Sequence, residues 1–200
     1  SFENFLETFK SFRFYDFILS LIIIFFLSPI IILIFLLCWL DTGKPLYIQK
    51  RVGKYKKSFY LFKFRTMFIN TPSVASHLIN KTSVTKFGRI IRKLKFDEFP
   101  QLLNVIKGDM SLIGPRPERP EIDKMLIKEI PNYNLRYLVR PGLSGWAQVN
   151  YPYGSSIKDS QYKLSYDIYY IKNFSILLDF IILLKTIRLV VNGKGSSPIR

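Results

Sequence analysis

Lys95-Phe96-Asp97-Glu98-Phe99-Pro100-Gln101-Leu102-Leu103-Asn104-Val105-Ile106-Lys107-Gly108-Asp109 is the stretch around which this chain is organised. Two adjacent carboxylates, Asp97 and Glu98, separate a cationic run carrying Arg89, Arg92, Lys93 and Lys95 from a second run of helical character, Gln101 to Lys107. Pro100 fits only the first turn of that second helix, where a missing N–H costs nothing. Gly108 stands where a helix C-terminus favours glycine. Asp97 is therefore expected at or near the N-cap, with Glu98 just inside. Two readings follow. Asp97 is a cap, a position for which Asp is favoured. Or the orphan N–H groups and the helix dipole keep its carboxylate ionised, and the neighbouring cations bring a phosphorylated substrate to it.

Composition narrows the partners. The 200 residues suffice for one domain with a core. Lys and Arg number 30 against 14 Asp and Glu, a formal charge of +16, while 48% of residues are hydrophobic. Basicity beside such hydrophobicity points to nucleic acid, an anionic membrane surface or a phosphorylated small molecule. The single Cys38 lies in an apolar run, which excludes an intramolecular disulfide framework. With that cysteine and one histidine, His77 in a polar loop-like stretch, a zinc site is disfavoured. A Ser-His-Asp mechanism would rest on the same loop histidine. The chain begins at Ser1, as a processed chain or the C-terminal part of a longer one would.

Towards the N-terminus, Ser1 to Asp16 reads as an amphipathic lead, with Phe2, Phe5, Leu6 and Phe9 at helical spacing. Phe17 to Leu40 is uncharged throughout. It exceeds the ~20 residues that cross a bilayer, and no small-residue cleavage site follows it. Ser28-Pro29 lies near its middle. Pro29 cannot donate to the Phe25 carbonyl, and the Ser28 hydroxyl is placed to occupy a freed carbonyl, so a kink is expected. Either the kinked helix still crosses, or it turns back so that both ends stay on one side. Both geometries leave the rest of the chain cytoplasmic, on the side where Lys44, Lys50, Arg51, Lys54, Lys56 and Lys57 follow the helix. Gly43 to Met67 then reads as a β-hairpin turning at Val52-Gly53-Lys54. Lys63 and Arg65 share one face of its second strand, either as solvated edge lysine and arginine or as cations offered to a phosphate. Phe68 to Thr85 is loop-like, and Thr85 is placed to cap a helix from Lys86 to Lys95. In that helix Arg92 lies just over one turn before Asp97.

Towards the C-terminus, Gly114-Pro115-Arg116-Pro117 holds an arginine between two prolines, a backbone stiffened in advance for clamping phosphate. Arg140-Pro141-Gly142, running into Gly145-Trp146-Ala147-Gln148, is a second rigid stretch carrying a cation. Pro120 to Asn134 and Lys158 to Tyr170 have helical patterns. Tyr151-Pro152-Tyr153-Gly154 reads as a turn. Phe174 to Val191 is very apolar but interrupted by Asp179, Lys185 and Arg188, which suits an interfacial helix better than a second span. Asn192 to Arg200 is a Gly/Ser tail.

With these segments laid out, the chain resembles the bacterial sugar transferases, the monotopic polyprenyl-phosphate phosphoglycosyl transferases. The resemblance runs from Phe14 to about Val191. It is carried by Lys63-Phe64-Arg65-Thr66-Met67, Asp97-Glu98 with Pro100-Gln101-Leu102 and Asn104-Val105, Lys107-Gly108-Asp109-Met110-Ser111, Gly114-Pro115-Arg116-Pro117, Arg140-Pro141-Gly142, Gly145-Trp146-Ala147-Gln148-Val149, Tyr166-Asp167 and Tyr169-Tyr170-Ile171. Several motifs in the family's order are far more specific than any one of them.

The resemblance implies a UDP-sugar donor, with a UDP-hexose favoured, and a polyprenyl phosphate acceptor, usually undecaprenyl phosphate. It implies attack by Asp97 on the sugar-bearing phosphorus with release of UMP, then transfer of the phospho-sugar to the lipid, the first membrane step of an exopolysaccharide or glycoconjugate. It implies Mg²⁺ held partly by Asp97, help from Glu98, and phosphate binding by Lys63, Arg65, Arg92, Arg116 and Arg140. The implied fold is α+β and mainly helical, with a re-entrant helix broken at Ser28-Pro29 and a small hairpin. Interfacial amphipathic helices would surround a catalytic core on the cytoplasmic face of the inner membrane. The expected organisation is a membrane-associated lead over residues 1–41, a catalytic domain over 42–191 and a tail over 192–200. The competing class is a non-enzymatic basic membrane protein binding anionic lipid or nucleic acid. It leaves the acid pair among arginines unexplained, and with an enzyme no nucleic acid partner is expected.

Overall fold

The computed structural model describes residues 2–71, 81–151, 154 and 156–192, with the backbone alone for 2–13 and 81. The apolar spacing of the lead, His77, Pro152-Tyr153 and the tail beyond Asn192 lie outside the described side chains. The elements are α1 (Phe2–Thr42), β1 (Leu46–Val52), β2 (Ser58–Phe64), α2 (Lys86–Lys93), α3 (Gln101–Lys107), β3 (Ser111–Ile113), α4 (Pro120–Glu129), β4 (Gly142–Ser144), α5 (Trp146–Asn150), α6 (Ile157–Lys172) and α7 (Ile176–Val191). Short 3₁₀ turns join them at Lys54–Lys56, Lys81–Ser83, Phe96–Glu98 and Tyr133–Leu138. The molecule is thus mainly helical with a small antiparallel hairpin, as expected.

Helix α1 continues through Pro29. The Ser28 hydroxyl donates to the Phe25 carbonyl at 2.8 Å, giving that carbonyl the donor that Pro29 cannot supply. Phe14–Thr42 is the one helical stretch among the described residues long and apolar enough to cross a membrane, reaching a mean hydropathy of 3.3. Yet one flank of this helix is docked along its length. Asp16 accepts from the Ser111 hydroxyl and from the Leu112 amide at 3.2 Å, both in β3. Ile23 and Ile24 pack on the main core of Phe59, Leu61, Leu102, Val105, Met110, Leu112, Ile113, Tyr170, Leu178 and Ile182. Ile34 and Cys38 join Phe64 and Ile91 in a further cluster, against which Phe96 and Phe99 pack. A third cluster, with Val52, Leu126, Ile130, Tyr133, Tyr137 and Leu164, lies under α4 and α6.

The hairpin pairs in the register Leu46↔Phe64 to Val52↔Ser58. Its Lys63-bearing face is the inward one, because Phe59 and Leu61 on the same side are buried in the main core. The solvated-edge reading is therefore corrected for Lys63, while Arg65 makes its bonds at the exposed end of the hairpin. The outer edge of β2 is closed by a side chain: Asn104, fully buried on α3, accepts from the Phe62 amide at 3.1 Å and donates to the Tyr60 carbonyl at 2.7 Å. One amide thus replaces a missing strand partner.

The two proline-stiffened motifs meet as a parallel pair, β3 with β4. The Gly114 amide donates to Ser144 at 2.8 Å, and the Gly142 amide to Pro115 at 2.9 Å. Their backbones approach so closely that a Cβ on Gly142 would stand 2.0 Å from the Gly114 nitrogen, so only glycine fits there. Gly108 ends α3 at φ 90°, and Thr85 caps α2 by accepting from the Gly88 amide at 2.8 Å, both as the sequence indicates.

Candidate active site

Asp97 and Glu98 do not cap α3. They occupy the 3₁₀ turn Phe96–Glu98, and the N-cap of α3 is Pro100, which offers no side-chain bond. The expected N-cap position is thus corrected, and with it both the capping role and the helix-end N–H groups expected to keep Asp97 ionised. The cause lies one residue upstream. Lys95 adopts a left-handed conformation, φ 60° and ψ 14°, and turns the chain sharply between α2 and the acid pair. Phe96 and Phe99 stack at 4.9 Å and pack against the cluster of Ile34, Cys38, Phe64 and Ile91, which ties the turn to the second half of the long helix.

Adjacent in sequence, the two carboxylates have opposite surroundings. Glu98 Oε1 accepts from Arg116 Nη2 at 2.8 Å and Lys63 Nζ at 3.0 Å, with Lys95 Nζ at 4.0 Å. Burial alone would raise its pKa, but Arg116, Lys63 and Lys95 together hold it well below the usual carboxylate range. Asp97 Oδ1 is buried with no hydrogen-bond partner. Burial pushes the Asp97 carboxyl above its ordinary value; Lys63 opposes the rise, the Glu98 charge adds to it, and Lys95 and Arg92 oppose it.

Of the cations the sequence singles out, Lys63 and Arg116 converge on Glu98, and Arg92 lies close enough for its charge to act on Asp97. Arg65 goes elsewhere, donating to the carbonyls of Lys44 at 3.0 Å and Leu46 at 3.3 Å and lying over the Tyr47 ring. Arg140 lines a cavity with Asp16, Ser111, Ile113, Tyr170 and Phe174, at the α1 side of the β3–β4 pair, so the two arginine motifs meet through their backbones but point to different places.

Residues without a local signal hold this arrangement. Arg136, buried on the Tyr133–Leu138 turn, donates to the Arg116 carbonyl at 2.7 Å and pairs with Asp167 of α6 at 3.1 Å. It also donates to the Tyr133 hydroxyl. Arg51 of β1 donates to the Pro117 carbonyl at 3.1 Å. Arg116 is therefore fixed through the two backbone carbonyls of its own motif. A lone arginine between two tyrosines gives no sequence sign of such a role. Asn104 stands in a motif the sequence singles out, but nothing local shows that its amide closes the edge of β2.

With this geometry in view, comparison with known proteins is unambiguous about kinship. A family model described as Bacterial sugar transferase matches residues 7–193. The chain belongs to the bacterial sugar transferase family. A UDP-N-acetylgalactosamine-undecaprenyl-phosphate N-acetylgalactosaminephosphotransferase of Aeromonas hydrophila is 43% identical over 184 residues, covering 90% of this chain and 44% of that protein. The uncharacterized sugar transferase EpsL of Bacillus subtilis is 38% identical over 188 residues, covering 92% of this chain and 88% of that protein. The exopolysaccharide production protein PSS of Rhizobium leguminosarum is 35% identical over 193 residues, covering 92% of this chain and 96% of that protein. The chain thus spans less than half of the Aeromonas relative and nearly all of the other two.

Proposed function

We propose that this protein is a phosphoglycosyl transferase that moves a sugar 1-phosphate from a UDP-sugar to a polyprenyl phosphate, with Asp97 as nucleophile. The observation that carries the reading is the buried, unpartnered Asp97 Oδ1 set among Lys63, Lys95 and Arg92. A carboxylate that the fold leaves unsatisfied, in a pocket of positive charge, is poised for a partner that comes with the substrate.

In the first step an Asp97 oxygen bonds to the phosphorus bearing the sugar, and the bond from that phosphorus to the UMP oxygen breaks. In the second, a phosphate oxygen of the lipid bonds to the same phosphorus and the Asp97 carboxylate is restored. Attack by an anion on an anion requires compensating charge, and phosphoryl transfer is mostly positioning and electrostatics. Glu98, ionised and held by two cations, serves best as the anchor that orients Arg116 and Lys63 toward the phosphates. Arg92 adds charge on the Asp97 side. Arg65 and Arg140 are proposed phosphate contacts further from the acid pair.

Mg²⁺ fits the donor set. Among the described residues no group of three or more His, Cys, Asp or Glu stands together as a cage. Mg²⁺ commonly relies on one or two carboxylates plus substrate phosphates and water. Asp97 Oδ1 would hold it, and the ion would supply charge neutralisation on the diphosphate.

Both ends of the membrane-length helix contact one folded body, Asp16 through β3 and Cys38 through Phe64 and Ile91. Those contacts are separated by about 33 Å of helix, more than the ~30 Å hydrocarbon core. An upright span would carry this strongly basic body through the bilayer with it. We therefore read the protein as monotopic, entering one leaflet with Ser28-Pro29 at the deepest point and the catalytic body cytoplasmic. The donor is read as a UDP-hexose or its N-acetylated form. The names of relatives include N-acetylgalactosamine, glucose and galactose transferases.

The deciding experiment incubates detergent-solubilised protein with Mg²⁺ and a panel of UDP-sugars, with and without undecaprenyl phosphate. UMP release and intact-protein mass are followed. One donor is expected to leave a sugar-phosphate adduct on Asp97, and Asp97→Asn to abolish both readouts while the protein stays membrane-bound. Full turnover by Asp97→Asn would overturn the covalent mechanism.

A further inference from the structure

Asp97 is not the only buried group near the start of α3 left without a partner. Gln101 is 2% exposed, and its Nε2 has no hydrogen-bond acceptor. Buried amides that serve a fold are almost always paired. The comparison stands on the same helix: Asn104, equally buried, bonds the Phe62 amide, the Tyr60 carbonyl and, at 3.4 Å, Asp109. Asn104 is used by the fold; the Gln101 donor is not.

The positions are related. Phe99 (φ −54°, ψ −37°) and Pro100 (φ −60°, ψ −17°) carry the chain from the 3₁₀ turn into α3 without leaving the right-handed helical region. Residues four apart in such a run lie on neighbouring faces. A bare acceptor and a bare donor therefore stand about one turn apart, and they do not satisfy each other. A cation alone would satisfy Asp97 and leave the Gln101 donor empty. A phosphoryl group satisfies both, its phosphorus facing the carboxylate and a non-bridging oxygen accepting from the amide.

We propose that Gln101 is a catalytic residue that donates from Nε2 to a non-bridging oxygen of the phosphoryl group transferred at Asp97. The inference rests on the phosphoglycosyl transferase reading above. Lys63 and Arg116 are already engaged by Glu98, whereas Gln101 is neutral, uncommitted and preset. A preorganised donor of this kind acts where charge gathers on the equatorial oxygens.

The test uses the full chain and measures the first half-reaction, UMP release in a single turnover without polyprenyl phosphate, beside the thermal midpoint. Gln101→Met, of similar length and without the amide, is expected to slow that release by about 10²-fold, with the UDP-sugar concentration for half-saturation moving less than ~3-fold. Its thermal midpoint should hold or rise, because a buried unsatisfied donor has been removed. Gln101→Glu, which offers the phosphoryl group a negative charge, should be at least as slow; should Gln101→Met not fold, this variant carries the test. A Gln101→Met rate near wild type overturns the proposal, and so does a rate lost only in step with a lowered midpoint. Absence of UMP release by the wild type with every donor overturns the underlying reading instead, a result distinguishable from both.

Discussion

At the scale of single residues, the two carboxylates at 97 and 98 divide the work of one site. Glu98 gains more from its cations than burial costs it; Asp97 does not. For Asp97 the folded-state pKa is raised, so its contribution to stability is full below the ordinary carboxylate value and is lost as pH rises through the shifted one. Asp97→Asn should therefore be more stable than wild type at pH 7.5 while inactive. The gain should be about 1 kcal/mol, or ~2–4 °C in thermal midpoint for a chain of this size, and it should disappear at acid pH. Glu98 has the opposite sign: its contribution is present above the unfolded value and lost as pH falls through the depressed one. Glu98→Gln should accordingly lower the midpoint at pH 7.5, by an amount that shrinks on acidification. Melting curves at three pH values separate the two residues.

Among elements, the question is what keeps Arg116 aimed. The chain of contacts runs from Asp167 of α6, through Arg136, to the Arg116 carbonyl, and from Arg116 to Glu98. Asp167→Asn leaves the buried Arg136 with only the Glu118 carboxylate, at 4.0 Å, to balance its charge and should cost about 3 kcal/mol. Replacing both partners by apolar residues, Arg136→Met with Asp167→Leu, should recover most of that stability without recovering the rate, since the donor to Arg116 is gone. Unfolding curves and UMP release on the three proteins check this. The docking of α7 carries its own pH dependence. Asp179 accepts from the Tyr170 hydroxyl of α6 at 2.9 Å. Burial pushes its carboxyl up to about 7, the Tyr170 bond opposes the rise, and the Asp16 charge on α1 adds to it. A raised folded-state value means stability lost as pH climbs through about 7. Asp179→Asn should raise the thermal midpoint most at pH 8.5, by an amount that shrinks on acidification and vanishes below the ordinary carboxylate value of 3.8.

On the scale of the whole molecule, the outward faces of α1 and α7 are apolar where they do not pack: Phe25, Phe26, Trp39 and Leu40 on one, Ile176, Leu177, Phe180 and Ile187 on the other. Two such faces on a body of charge +16 fit insertion into an anionic leaflet from one side. In a Cys38→Ser background, Tyr15→Cys and Asp41→Cys should both react with a membrane-impermeant maleimide from the same vesicle face. Labelling from opposite faces would establish a spanning helix.

The sequence by itself determined the elements whose causes are local. The apolar run of α1, the Thr85 cap, the Gly108 terminus and the hairpin each follow from side chains within a turn or two of one another. So do the acid pair and the order of the motifs that carry the family resemblance. Only the tertiary structure decided which cation meets which carboxylate. Lys63 turns inward because Phe59 and Leu61 need the core, Arg140 goes to the Asp16 cavity instead of the acid pair, and Lys95 takes Asp97 off the helix cap. The three-residue strands β3 and β4 are too short to show a period, and they exist only because Gly114 and Gly142 let two distant backbones touch. The physical reason is range: capping and periodicity act over a few residues of chain, whereas a buried charge is satisfied by whatever the folded chain brings within about 3–4 Å of it.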